Sequence, residues 1–361
     1  MSLLEHEEVV VQRGRRSDIY VIVAIHSTVL GPALGGLRMW RYGALGDGIA
    51  DALRLSEAMT YKAAAAGLDL GGGKAVLCVP PDRQLPSAAR RELMLDVGDI
   101  VESVEGRYVT AEDVGTCTDD MSIIRERTEH VVGLPVDSGG SGDPSPITAR
   151  GVESAIRACC KHRFGTDALA GRRVTVIGLG HVGSHLAERL ALDGAELSVS
   201  DIDAEKRGLA ERLGARWLDP DEAPLAECEV LAPCALGGAI DADNVERLSC
   251  EIVCGAANNV LADRSLAERL AERDILYAPD FIANAGGLIH VYGEHHALDP
   301  ERLDALVDGI GDALGRVFAG AEARSVTPLE AARALAEERL GAARQVALPV
   351  PTAAGLVGGA A

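Results

Sequence analysis

Lys62 and Lys74 stand twelve residues apart around the stretch AAAAGLDLGGG, and apolar or glycine residues surround both. An ammonium group in a low-polarity setting loses charge stabilisation, and two held close together depress at least one pKa. A lysine tuned toward neutrality can act as a general base while its neighbour holds an anion. Asp113, in the segment AEDVGT, adds a carboxyl group suited to moving protons. Taken singly, each has a plainer reading. Lysines at a helix end snorkel to water, and an aspartate before a glycine turn is usually a cap or an Asx-turn. The chemical reading gains its weight from the rest of the chain.

Residues 174–203 read VTVIGLGHVGSHLAERLALDGAELSVSDID. Val174 to Ile177 is a short β-branched run suited to a buried parallel strand. Gly178, Gly180 and Gly183 then form G-x-G-x-x-G, with Leu179, His181 and Val182 between them. Ser184 to Leu192 has helical spacing, Glu196 to Ser200 reads as a second strand, and Asp201 closes it. Each part has a task in holding a dinucleotide. Gly178 permits a tight turn, Gly180 lets the backbone approach a pyrophosphate, and Gly183 lets helix and strand pack closely. The helix N-terminus supplies N–H donors and a favourable dipole. Asp201, followed by Ile202, would meet the adenosine ribose. Its carboxylate would accept both hydroxyls and repel a 2′-phosphate, so the expected cofactor is NAD rather than NADP.

The elements that must position these groups fall into two blocks. In the first, residues 19–30 read as a strand, 47–66 as a helix and 74–79 as a strand; 87–104 follow as a helix and 107–111 as a strand leading to Asp113. The segment VDSGGSGDPSP, residues 136–146, concentrates turn-forming residues and marks a boundary. A helix from Ile147 leads into the dinucleotide motif. Strands at 230–231, 251–254 and 275–277 continue the alternation expected of a doubly wound (Rossmann) sheet. Helical spacing recurs over 303–317, and Thr327 and Glu330 have the spacing of a capping box. The predicted fold class is α/β with two domains.

A chain of 361 residues has room for two cores. Apolar residues make up 47% of it, yet no unbroken run is long enough to span a bilayer. The net charge of −20 disfavours nucleic acid and anionic membrane as partners. The charged start, MSLLEHEEVVVQRGRRSD, lacks the apolar core of a secretory signal. Eight cysteines form no CxxC and no regular framework, which fits free thiols in a reducing cytoplasm. No spacing suggests a zinc site, and no metal is expected.

Several segments resemble one known family. They are GPALGGLRMW (31–40), AMTYKAAAAGLDLGGGKAV (58–76), YVTAEDVGT (108–116), GDPSPITARGV (142–152), APCALGG (232–238), GAANN (255–259) and YAPDFIANAGG (277–287). In order, from about residue 20 to about 340, they look like the Glu/Leu/Phe/Val dehydrogenase family, and most like its leucine, valine and phenylalanine branch. The resemblance implies reversible oxidative deamination of an L-amino acid by NAD and water to a 2-oxo acid, ammonium and NADH.

By position, the resemblance implies that Lys62 pairs with the substrate α-carboxylate, Lys74 activates water, and Asp113 shuttles protons to and from the amine. Asn258 would lie near the reacting carbon and the nicotinamide ribose. Thr148 would approach the nicotinamide amide, and Ala235, Leu236 and Ala257 would line that half of the cofactor. Arg38 is expected either near the cofactor or in a structural ion pair. The implied side-chain pocket is Leu34, Gly35, Met59, Ala111, Leu288 and Val291, all apolar or glycine. A charged side chain would be buried there without a partner, which argues against glutamate as substrate. Ala111 resembles the aliphatic-specific enzymes and Leu288 the phenylalanine-specific ones. Branched-chain substrates are favoured, with L-phenylalanine or L-tryptophan as the alternative. A non-catalytic NAD-binding regulator is disfavoured because Lys74 and Asp113 are present.

The resemblance also implies an organisation. Residues 1–137 would form a substrate-binding and oligomerisation domain, rejoined by a C-terminal helix within 327–361. Residues 138–326 would form the NAD domain, with the active-site cleft between the two and a homo-oligomer as the assembly. Four positions depart from the family pattern: Leu37, Val260, His290 and Tyr292. The first two are expected to remove polar groups from near the cleft.

Overall fold

The computed structural model describes residues 5–235 and 237–347. The expectations placed on Leu236 and on the tail after Ala347 lie outside the described residues. The first of two sheets has five strands: β1 (Glu8–Arg13), β2 (Tyr20–Ser27), β3 (Ala33–Arg41), β4 (Gly71–Val79) and β5 (Tyr108–Glu112). Their order is β1-β2-β4-β3-β5. β2 is antiparallel to β1 and β4, whereas β3 runs parallel to β4 and β5.

Alternation along β2 explains the layers of this unit. Val21, Val23 and Ile25 pack with residues of α2 (Ser87–Glu102) and α3 (Thr118–Arg125). Ile22 and Ala24 pack with Ala52 and Leu53 of α1 (Leu45–Ala65) on the other face. β3 lies in the glycine-rich segment between the strand and helix expected over 19–30 and 47–66, where no element was expected. Its glycines answer to the neighbouring strand rather than to a turn: a Cβ on Gly35 would lie 1.8 Å from the carbonyl oxygen of Gly73. The glycines before Lys74 likewise belong to β4, which begins at Gly71.

The second sheet has six parallel strands: β6 (Arg173–Ile177), β7 (Glu196–Ser200), β8 (Arg216–Trp217), β9 (Val230–Pro233), β10 (Ile252–Val253) and β11 (Leu276–Tyr277). The order β11-β10-β9-β6-β7-β8 is that of a doubly wound fold, with its switch point between β6 and β9. Its helices are α4 (Ser145–Phe164), α5 (His181–Leu192), α6 (Arg207–Leu213), α7 (Leu266–Glu272), α8 (Asp280–Ala283), α9 (Gly286–His295) and α10 (Pro300–Arg324). α11 (Pro328–Ala347) packs against both α10 and α1. It opens on the capping box, with the Glu330 N–H donating to Thr327 Oγ1 (3.2 Å) and the Thr327 N–H to Glu330 Oε2 (2.9 Å). Arg339 of α11 donates to the carbonyl oxygen of Leu68 (2.7 Å) and to Asp69 (2.8 Å), fastening the helix beneath α1.

Glu294 on α9 gathers the junction between the two units. Its carboxylate accepts from the backbone N–H groups of Gly133 (2.9 Å), Leu134 (3.3 Å) and Ser141 (2.9 Å). No helix among the described residues is long and apolar enough to cross a membrane. The eight cysteines are free thiols.

Candidate active site

Register brings Lys74 and Asp113 together. Leu37 of β3 pairs with Ala75 of β4 on one side and with Glu112 of β5 on the other. Lys74 and Asp113 adjoin those partners, and their side chains meet over β3, with Lys74 Nζ 2.9 Å from Asp113 Oδ2. Gly36 leaves the space. A Cβ there would lie 2.7 Å from Asp113 Cβ and 3.3 Å from Lys74 Nζ. Arg38 Nε sits 3.0 Å from the same Asp113 oxygen, and its guanidinium also reaches Asp51 at 3.1 Å. Arg38 is thus engaged in ion pairs with both carboxylates. Tyr42 donates to Asp51 at 2.7 Å and completes the chain of contacts. The Asp113 N–H donates to Thr116 Oγ1, which in turn donates to the Leu37 carbonyl oxygen, so the turn bearing the carboxylate is held from behind.

The electrostatics follow from this packing. Lys74 is 5% exposed, and burial lowers its pKa below the ordinary lysine value despite the opposing pull of Asp113. Burial alone would raise the pKa of Asp113. Lys74 and Arg38 outweigh it and hold the carboxyl below its usual range. Deprotonating Lys74 would remove one of those two cations, so the groups titrate as a pair.

Lys62, near the end of α1, faces the second unit. Its Nζ donates to Asn258 Oδ1 at 3.2 Å, a contact across the cleft between residues of the two sheets' units. The side chain is only half-buried, yet the surrounding protein pushes its pKa down to about 8. Burial is the largest cause; Asp280 pulls the other way, and Lys74 adds repulsion. Asn258 is fixed by Asn284, whose Nδ2 donates to Asn258 Oδ1 (2.9 Å) and to the carbonyl oxygens of Ala256 (3.1 Å) and Ala257 (3.2 Å). Asp280 accepts from the Val260 N–H at 3.0 Å. Sequence reasoning singled out neither Asp280 nor Asn284. The only signal was their place within YAPDFIANAGG.

Leu34, Met59, Ala111, Leu288 and Val291 join one apolar cluster, and Gly35 adjoins Leu34. Val132 belongs to the same cluster and was not anticipated. The Thr110–Val131 bridge and the Val132 N–H donating to the Thr110 carbonyl oxygen (2.9 Å) carry it alongside β5, near Ala111. Leu37 and Val260 correct an expectation. Leu37 packs with Leu77 and Tyr108 in the core of the first unit, and Val260 packs with Leu261 and Tyr277 in the second. Strand alternation turns Leu37 away from the face on which Lys74 and Asp113 meet. Tyr292 is half-buried and packs against His296, the rings tilted by 51° with centroids 4.3 Å apart.

At the switch point, Gly178 takes a φ of +95°, and a Cβ on Gly183 would lie 1.9 Å from the Gly178 carbonyl oxygen. A Cβ on Gly180 would meet nothing within 4 Å, so the N-terminus of α5, opened by His181 and Val182, faces free space. Asp201 accepts from the N–H groups of Leu179 (2.6 Å) and Asp203 (2.8 Å), and Ile202 beside it is 93% exposed. Ala235 abuts Gly178, while Ala257 follows β10. Thr148 lies in the first turns of α4 against Gly286, whose Cβ would fall 2.7 Å from Thr148 Cα. An open helix N-terminus, a close-packed glycine loop and an acid at the end of β7 together fit a dinucleotide.

Residues 5–130 match the family described as Glu/Leu/Phe/Val dehydrogenase, dimerisation domain, and residues 198–346 match Glutamate/Leucine/Phenylalanine/Valine dehydrogenase. The chain belongs to the Glu/Leu/Phe/Val dehydrogenase family. It is 43% identical to the leucine dehydrogenase of Thermoactinomyces intermedius, over 94% of this chain and 92% of that one. It is also 43% identical to the valine dehydrogenase of Streptomyces coelicolor, over 94% of this chain and 93% of that one. The crystal structure of L-tryptophan dehydrogenase from Nostoc punctiforme superposes with a TM-score of 0.83 at 37% identity, covering 95% of this chain and 98% of that one. As a member of this family the protein is an oxidoreductase acting on amino acids.

Proposed function

We propose that this dehydrogenase carries out the reversible, NAD-dependent oxidative deamination of branched-chain aliphatic L-amino acids, giving the 2-oxo acid, ammonium and NADH. The observation that carries the reading is the Lys74–Asp113 pair over Gly36, facing a cleft that Lys62 and Asn258 bridge. The apolar character of the buried Leu34, Ala111 and Leu288 supports an aliphatic side chain, because an unpaired carboxylate buried among them would cost several kcal/mol.

Each residue has a step. Lys62, as the ammonium, pairs with the α-carboxylate and orients Cα. The chemistry that NAD supplies when bound is acceptance of the hydride from Cα. Water then adds to the iminium carbon and loses a proton to neutral Lys74. Asp113, 2.9 Å from Lys74, relays a proton to the carbinolamine nitrogen. Ammonia leaves, and loss of the hydroxyl proton to Lys74 gives the carbonyl. The glycine loop and α5 would hold the pyrophosphate, with Asp201 on the adenosine ribose and Thr148 toward the nicotinamide.

We assign residues 1–137, rejoined by the segment 327–361 that contains α11, to substrate binding and assembly, and 138–326 to NAD. The match of residues 5–130 to a dimerisation domain supports a homo-oligomer. The test is NADH formation with a panel of L-amino acids, NADP being run in parallel. Turnover of leucine, valine or isoleucine with NAD is expected. Turnover confined to phenylalanine or tryptophan would overturn the substrate assignment, and turnover with NADP alone would overturn the cofactor.

A further inference from the structure

His290 lies in α9 with its side chain buried, and among the described residues neither Nδ1 nor Nε2 has a hydrogen-bond partner. A buried imidazole has a donor and an acceptor to satisfy, and unmade bonds of this kind are rare in folded proteins. Packing alone would be served by leucine.

The position of the ring gives it a use. Four residues earlier, Gly286 packs against the backbone of Thr148 at the start of α4. Four residues later, Glu294 holds the backbone of Gly133, Leu134 and Ser141. Residues four apart share a helix face, so His290 lies on the side of α9 from which Glu294 reaches Gly133 and Leu134 of the first unit, while Gly286 packs within the second unit. Leu288 and Val291, on either side of it in sequence, join the apolar cluster assigned to the substrate side chain. α9 therefore carries the pocket on one face and the junction on another.

We infer that His290 is a positioning residue for opening of the cleft. In the arrangement seen here Lys62 is bonded to Asn258 across the cleft, and both ring nitrogens are unpaired among the described residues. When the units swing apart, the ring gains partners from the junction backbone or from water. His290 thereby favours the open arrangement and speeds product release, which often limits turnover in enzymes that close on their substrates. The kinetic part of this inference rests on the deamination reading.

The test compares the full-length protein with its His290→Leu and His290→Asn variants. In His290→Leu, kcat and KM should fall together by about tenfold, the change expected from one buried hydrogen bond. The deuterium isotope effect on kcat with substrate labelled at Cα should shrink toward unity, because release has become slower than chemistry. The melting temperature should rise as two unpaired polar atoms are removed. His290→Asn, which keeps a donor and an acceptor, should retain wild-type kinetics. Unchanged kcat, KM and isotope effect in His290→Leu would overturn the inference, as would a loss of kcat at constant KM. If the wild type oxidises no amino acid, the deamination reading fails on its own, and small-angle scattering still decides about His290. His290→Leu without cofactor should then be more compact than the wild type, and equal radii of gyration would contradict the inference.

Discussion

Lys74 Nζ and Asp113 Oδ2 meet at 2.9 Å although their strands are not hydrogen-bonded neighbours: β4 and β5 lie on opposite sides of β3. The contact passes over Gly36, so that glycine is as much a part of the site as the charged pair. Gly36→Ala would place a methyl group 2.7 Å from Asp113 Cβ and 2.8 Å from the Glu112 carbonyl oxygen. Overpacking of this kind costs about 1–3 kcal/mol. The variant is expected to fold with a lowered melting temperature and to lose most of its kcat well below that temperature. Wild-type kcat in a folded Gly36→Ala protein would show that the pair need not be held in this geometry.

Lys62 predicts a proton linkage. Its pKa in the free protein is about 8, and a bound carboxylate stabilises the ammonium and raises that value. Binding of a 2-oxo acid in the presence of NADH should therefore take up a proton just above pH 8, and affinity should fall as pH rises through that range. Titration calorimetry in two buffers of different ionisation enthalpy measures the uptake. Heats independent of the buffer would remove Lys62 from carboxylate binding.

Ala111 and Val132 are both buried alongside β5, where the proposed substrate side chain would lie. Methylene-sized changes in such pockets discriminate by about 10- to 200-fold. Ala111→Val should lower kcat/KM for leucine relative to valine by about tenfold or more, whereas Val132→Ala should shift preference toward longer side chains. A constant leucine-to-valine ratio in both variants would place the side-chain pocket elsewhere.

Asp201 already accepts two backbone N–H groups at the end of β7. Hydrogen bonds to charged groups contribute about 1.5–3 kcal/mol. Asp201→Ser should weaken NAD binding by about 10- to 100-fold and narrow the gap between NAD and NADP, with kcat at saturating NAD little changed. Calorimetric binding of both dinucleotides checks this. An unaltered NAD affinity would take Asp201 off the ribose.

Much of the fold was legible because each position in some segments demands its residue type on local grounds. The run from Val174 to Asp201 is such a segment: the strand, the glycine loop, the helix and the closing acid all carry their own signal. The Thr327–Glu330 capping box is another, satisfied by atoms three residues apart. β3 was hidden because Gly35 and Gly36 are required by β4 and β5, which sequence spacing does not reveal. Val132 escaped notice because a bridge between distant stretches places it. Asp280 and Asn284 act largely through backbone groups, whose positions exist only after folding. Leu37 and Val260 misled for the converse reason: adjacency to site residues in sequence did not mean a shared face.

In the proposed mechanism Lys74, paired with Asp113, serves as the base that turns an imine into a ketone. The most direct measurement is the turnover of Lys74→Ala beside its NAD affinity. General-base catalysis contributes about 10²–10⁴-fold, so kcat should fall by that factor while NAD binds as in the wild type. Near-normal kcat in Lys74→Ala would contradict the account and move the base elsewhere in the cleft.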